Sequence, residues 1–296
     1  MKTDRRSFLQ GSLGGIAGLA AVPLIGSLAG CQTAPPGTAA AAPAAAPAGP
    51  LTTQKLAERV TLISGVPGNV LTLAANDGVL LVDTGSADRA HALRTSLAGT
   101  KVHTVFNTHY HADQTGGNAL FGAAGATIHA HLITKQWLAT DFYVPADDRW
   151  VKALPAAGIP TVTFRHKGET KVGAENVEFG YLLEAHTRGD IYVFFRDSNV
   201  LAVGDVASPE RDPALDWYSG GWLGGRVDAM TALLALAHDD TKIVPAYGPV
   251  MTRAQLQAER DMMQHLYDRT TLLTTQGRSA QDMLDAGVIK EVDRQF

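Results

Sequence analysis

The densest chemistry in the chain lies in one stretch, Thr108-His109-Tyr110-His111-Ala112-Asp113-Gln114-Thr115-Gly116-Gly117-Asn118. Two histidines two apart, at the end of an apolar run, place both imidazoles toward one point. The acid two residues on adds a hard oxygen ligand or a base. Gly116 and Gly117 let the chain bend sharply back, and Asn118 suits the cap of a following turn. A catalytic zinc takes three protein ligands and keeps one position open, so a third ligand must come from elsewhere. His186, in Glu184-Ala185-His186-Thr187-Arg188-Gly189-Asp190, is the candidate, with Asp190 placed to hold its loop from behind. Asp205, in Val203-Gly204-Asp205-Val206, is a further acidic candidate, and Pro245-Ala246-Tyr247-Gly248-Pro249 forms a tight turn. His129 and His131 repeat the two-apart spacing. They lack the following acid and the Gly-Gly bend, so they read as structural, as do the scattered His91, His103, His166, His238 and His265.

These residues need elements to hold them. Short β-branched or alternating runs at 59–64, 69–75, 78–83, 102–107 and 126–130 read as strands, with Asn76-Asp77-Gly78 as a hairpin turn using positive φ. A meander is predicted over 161–164, 170–172, 177–183, 191–195 and 200–203, and a short strand over 242–245. Helical spacing covers 87–97, 132–139, 227–237, 252–274 and 280–286. Each chemical cluster then falls just past the C-terminal end of a strand. Trp217, Tyr218 and Trp222 lie in a Gly-rich loop after Asp205, and Phe142, Tyr143 and Trp150 follow the helix at 132–139. Each set reads equally as a pocket lining or as ordinary packing.

With 296 residues, 45% apolar and 18% charged, the chain has a globular balance and enough length for a sizeable core. A net charge of -4 argues against nucleic-acid partners, which need clustered Lys and Arg. There is no Gly-Lys-Ser/Thr phosphate loop and no Gly-x-Gly-x-x-Gly helix opening. A single cysteine, Cys31, excludes an intrachain disulfide framework and a multi-cysteine zinc site.

The ordered motifs resemble the metallo-β-lactamase fold superfamily of metallohydrolases over essentially all of 51–296. The matching pieces are Val82-Asp83-Thr84-Gly85, the histidine motif, the Ala185-His186-Thr187-x-Gly189-Asp190 turn, the Gly204-Asp205 turn and the tail from Asp240 to Pro249. The resemblance implies an α/β fold, a four-layer αββα sandwich with metals at one edge of its two sheets. It assigns His109, His111 and His186 to a first metal site. The second site of the family takes the motif Asp, a following His, a bridging Asp and a late His. Asp113 and Asp205 stand at two of these positions, but Gln114 and Tyr247 replace both imidazoles. An amide oxygen is a weaker zinc ligand than imidazole, and a phenol binds well only as phenolate, with a reference pKa of ~10.

One tightly bound zinc is therefore expected, with the second site empty or weakly filled. Asp113 is expected to orient or deprotonate water, and Tyr247 to donate to a substrate oxygen. The function this implies is a zinc-dependent hydrolase that uses hydroxide on the metal against a small ester, lactone, thioester or amide, β-lactams among them. The rival readings are a non-catalytic small-molecule-binding or redox-assisting member of the fold, and an iron-dependent redox enzyme.

Residues 1–31 read as an address. Asp4-Arg5-Arg6-Ser7-Phe8-Leu9 resembles a twin-arginine export signal, and Leu28-Ala29-Gly30-Cys31 resembles a bacterial lipobox. Residues 32–50 are an Ala/Pro-rich tether that cannot bury a core. The expectation is an exported, periplasmic domain at 51–296, held to a bacterial membrane through lipid on Cys31.

Overall fold

Strand period decides the layering of this molecule. In Ile191–Phe195 every residue is buried, yet alternate side chains enter different cores. Ile191, Val193 and Phe195 join one cluster, and Tyr192 and Phe194 another. A strand buried on both faces must lie in an inner layer, covered on each side.

The computed structural model describes residues 49–145, 147–209 and 215–290. The expected leader, Cys31 and nearly all of the tether lie outside the described residues. Fourteen strands are present among the described residues. Strands β1 (Thr52–Lys55), β2 (Val60–Ser64), β3 (Val70–Ala75), β4 (Gly78–Val82), β5 (Val102–Phe106) and β6 (Thr127–His131) build most of the first sheet. A separate hairpin pairs β7 (Phe142–Val144) with β8 (Arg149–Val151), and β9 (Val162–Phe164) returns to the first sheet beside β6. Strands β10 (Gly168–Val172), β11 (Glu175–Tyr181), β12 (Ile191–Phe195), β13 (Val200–Gly204) and β14 (Lys242–Pro245) form the second sheet in that order. The helices are α1 (Ala90–Ser96), α2 (Ala112–Thr115), α3 (Asn118–Ala123), α4 (Leu132–Leu138), α5 (Leu223–Leu236), α6 (Arg253–Thr275) and α7 (Ala280–Asp285).

Three cores separate four layers. Between the sheets, Leu71, Leu80 and Phe106 meet Phe179, Val193 and Val244. Outside the first sheet, Val79, Leu81 and Val105 pack on Leu93 and Phe121 of α1 and α3. Outside the second sheet, Phe194, Leu201 and Val203 pack on Met230 and Leu233 of α5 and Met263 of α6. This is an αββα sandwich. Helix α6 opens on a capping box, in which Thr252 and Gln255 each satisfy the other's backbone N–H.

Some expectations are corrected. Strand β9 does not belong to the later meander; it runs parallel to β6, at His129↔Val162 through His131↔Phe164. The turn at 76–77 joins β3 to β4 as expected, but Gly78 has no positive φ. Its need is space: a Cβ there would lie 2.3 Å from the Lys101 carbonyl oxygen. Helix α5 starts four residues earlier than expected, because Gly225 admits a backbone approach, with a Cβ there only 2.1 Å from the Glu184 carbonyl oxygen. Strand β1 and the β7–β8 hairpin carry little sequence signal, being short and largely exposed.

Candidate metal centre

Four loops meet at one end of the sandwich. The chain leaves β5 at Phe106, and Thr108 ties the next turn to both sheets. Its carbonyl accepts from the Ile191 N–H at 2.8 Å, while its own N–H and hydroxyl donate to Asp83 Oδ1 and Oδ2 at 2.8 and 2.7 Å. Asp83 is fully buried, and burial, against the pull of those hydrogen bonds, lifts its pKa to about 8. The His186 loop is closed from below by Asp190, whose carboxylate accepts from the Thr187 N–H and hydroxyl, both at 2.7 Å. Burial again dominates and carries Asp190 to about 7. Asp205 follows β13 directly, after Gly204 at φ +58. The turn carrying Tyr247 is clasped by Asn69, whose side-chain amide donates to the carbonyls of Pro245 and Gly248, each at 2.9 Å.

This scaffold brings together His109, His111, His186 and Asp205, with one ligand atom from each lying within 4.8 Å of all the others. His111 Nδ1 stands 3.1 Å from both His109 Nε2 and His186 Nε2. Asp205 Oδ2 stands 3.7 Å from His109 Nε2 and 3.6 Å from His186 Nε2. The three rings cross nearly at right angles, at 82° to 88°.

The partners behind two of the rings, His109 and His111, fix their tautomers. Thr108 spends its hydroxyl proton on Asp83, so its oxygen accepts from His109 Nδ1 at 3.1 Å, leaving the Nε2 lone pair facing the cluster. His111 Nε2 donates to Asp216 Oδ2 at 3.0 Å, leaving its Nδ1 lone pair facing inward. Burial alone would lower the His111 pKa. The hydrogen bond and charge of Asp216, with Asp113 and Asp205 beyond, outweigh it and raise the pKa to about 9, so the inward Nδ1 gives up its proton when a cation binds. Lone pairs aimed at one point, with a carboxylate beside them, form the donor set of a divalent cation. Zinc bonds of ~2.0–2.1 Å would set tetrahedral ligand edges near ~3.3 Å, close to the 3.1 Å between His111 Nδ1 and each of the other two ring nitrogens, with Asp205 Oδ2 farther out and the fourth position left open. The residues fit the metal.

The side of the expected second site is built differently. Asp113 lies outside the four-residue group. Tyr247, expected to face a substrate oxygen, instead donates its hydroxyl proton to Asp113 Oδ2. The reason is proximity, since the phenol is the nearest donor to that carboxylate. Gln114 is fully buried, and neither its amide oxygen nor its amide nitrogen has a hydrogen-bond partner. It presses on the turn at Gly68, where a Cβ would lie 2.6 Å from Gln114 Nε2.

Sequence reasoning missed several supports. Asp216 accepts from His111 and from the Tyr110 hydroxyl, and its N–H donates to the His186 carbonyl at 3.0 Å. Behind Asp205, the fully buried Arg226 of α5 donates Nε to the Val206 carbonyl at 2.8 Å. Glu259 of α6 accepts from the Ser208 N–H at 2.7 Å. An isolated Asp, Arg or Glu carries no motif; Arg226 and Glu259 were detectable only as charges among apolar helical positions. Of the aromatic sets, Tyr218 and Phe142 line a recess beside His111, whereas Trp217, Trp222, Tyr143 and Trp150 are exposed.

An αββα sandwich with a three-histidine, one-aspartate cluster at the sheet edge defines a class of metal-binding α/β proteins. The chain belongs to the metallo-β-lactamase superfamily, whose family model matches residues 63–248. It is 28% identical over 183 residues to the 2,4-dinitroanisole O-demethylase subunit alpha of a Nocardioides species, covering 56% of this chain and 55% of that protein. The chain thus spans about half the length of that relative. It is 24% identical over 202 residues to a type 2 metallo-β-lactamase of Bacillus cereus, covering 67% of this chain and 73% of that one. Among solved structures, a metallo-β-lactamase from Pontibacter korlensis shares the fold at TM-score 0.60 and 20% identity, covering 72% of this chain and 99% of that one. The DIM-1 metallo-β-lactamase does so at 0.56 and 18%, covering 72% and 97%.

Proposed function

We propose that this chain is a zinc-dependent hydrolase working with one tightly held metal on a small-molecule ester, lactone, thioester or amide, β-lactams included. The observation that carries the reading is the convergence of His109 Nε2, His111 Nδ1 and His186 Nε2, with Asp205 Oδ2 alongside. A divalent cation held there supplies Lewis acidity and brings the pKa of water toward neutrality. The chain's own groups do the rest. Asp113 takes the proton of the attacking water as the new C–O bond forms, and returns it to the departing oxygen, nitrogen or sulfur as the old bond breaks. Tyr247 holds Asp113 in place through its hydroxyl. Asp216, Thr108 and Asp190 keep the three imidazoles aimed.

Gln114 and Tyr247 support a single-metal reading, because neither offers an imidazole where the family's second site has one. The name of the demethylase subunit, which refers to an O-methyl ether on a nitrated ring, adds aryl ethers to the bonds worth assaying. We further propose that the domain is exported and lipid-anchored through Cys31, so that it works at a bacterial membrane surface on the periplasmic side.

The decisive experiment measures bound metal per chain and hydrolysis of an ester, lactone and β-lactam panel, for the parent and for His111→Ala. One equivalent of zinc, with turnover that disappears in His111→Ala, is expected. Turnover that survives the substitution would refute the proposal.

A further inference from the structure

The four residues of the cluster are not equally exposed. The His109, His186 and Asp205 side chains are 1%, 3% and 3% accessible, but that of His111 is 25% accessible. Among these residues, a substrate reaches the cluster past His111. On that side lies an open recess between α4 and the β7–β8 hairpin.

Its walls are aromatic and already mutually packed. Tyr110 stacks on Trp137 at 5.0 Å with the planes 19° apart. Phe142 stands edge-on to Trp137 at 4.8 Å, and Tyr218 edge-on to it at 6.3 Å. Charge and hydrogen-bonding capacity are already committed. The Tyr110 hydroxyl is given to Asp216, and Tyr218 turns its ring toward Trp137. The two cations at the rim are paired as well, Arg149 with Asp147 at 3.0 Å and Lys152 with Asp141 at 2.6 Å. Such a recess has no uncompensated charge for an anion. It offers ring faces and edges to an uncharged flat ring.

We propose that this recess is the specificity site of the proposed hydrolase, and that it takes a neutral aromatic ring attached one or two atoms from the bond that is broken. The inference rests on the hydrolytic reading above for the identity of that bond, but not for the binding of the ring.

The test compares benzyl acetate with cyclohexylmethyl acetate on the zinc-loaded full chain. These esters have similar leaving groups and similar bulk, so their difference reports aromaticity. The expected result is a kcat/KM preference of roughly fivefold or more for the benzyl ester, expressed mainly in KM. Trp137→Leu should erase the preference, and Phe142→Leu provides the same test should the first variant fold poorly. Equal kcat/KM for the two esters would overturn the inference while leaving the hydrolytic reading intact. A second arm uses benzyl alcohol, followed by saturation-transfer NMR without turnover. Binding that is lost in Trp137→Leu or Phe142→Leu supports the recess even if no ester is cleaved, in which case the hydrolytic reading alone falls. Absence of binding, or binding indifferent to both substitutions, overturns it.

Discussion

Two His-x-His pairs belong to neighbouring parallel strands, one just past a strand end and one within the strand, and they meet opposite fates. His109 and His111 lie past the end of β5, on a loop whose bends turn both rings onto one point. His129 and His131 lie inside β6, where the two-residue repeat sends both rings to one sheet face, side by side, toward the second sheet. His129 packs on Phe106 with centroids 4.8 Å apart, and His131 lies flat on Tyr181 at 4.0 Å and 1°. The difference also shows in what stands behind each ring. His111 has Asp216 and His109 has Thr108, whereas His129 Nδ1 has no hydrogen-bond partner. Burial lowers the pKa of His129, and burial with the charges of Arg165 and His166 takes His131 down to about 4. Spacing alone does not make a metal site. Convergence beyond a strand end, with an acceptor behind each ring, does.

The contrast can be broken most severely at the rings themselves. His109→Ala should abolish tight zinc binding, a loss greater than the ~10–100-fold typical of a change behind a ligand, while His129→Ala should leave stoichiometry at one. Calorimetric titration of both variants checks this. Asp216→Asn should weaken zinc by ~10–100-fold with the far-ultraviolet spectrum unchanged, because it removes the acceptor that fixes the His111 tautomer. An unchanged affinity would mean that the loop geometry suffices by itself.

Installing imidazoles on the poorer side sharpens the comparison in the other direction. Gln114→His combined with Tyr247→His should raise bound zinc from one to two equivalents per chain, read by elemental analysis after dialysis. The smallest effect belongs to the dispersed pair. His131 is harder to protonate folded than unfolded, so its contribution is complete above pH ~6.5 and is lost as pH falls toward its folded pKa of about 4. Stability should drop by about 1 kcal/mol between pH 6 and pH 5 from this group. His131→Phe keeps a ring on Tyr181 and should flatten that slope in urea melts.

Much of this was legible from the chain. The strands and long helices follow from hydrophobic period, and the ordered motifs mark the four residues that the structure brings together. What escaped has a physical reason. The β7–β8 hairpin is short and exposed, so period gives it no signature, yet it walls the recess. Asp216 lies 105 residues from His111, and a lone acid in a loop declares no partner. Gly224 and Gly225 look like helix breakers, but a Cβ at Gly225 would meet the Glu184 carbonyl and one at Gly224 the Trp222 ring, which explains why α5 runs through them. Tyr247 reads as a donor awaiting a substrate because a sequence does not show that Asp113 lies beside it.

Arg226 and Glu259 join the sheet edge to the far side of the molecule. They grip the residues directly after Asp205, and they are rooted in α5 and α6. Ion uptake and the firmness of the last third of the chain are therefore two readings of one equilibrium. Amide protons in α6 should exchange with solvent more slowly once the ion is held, although that helix supplies no ligand.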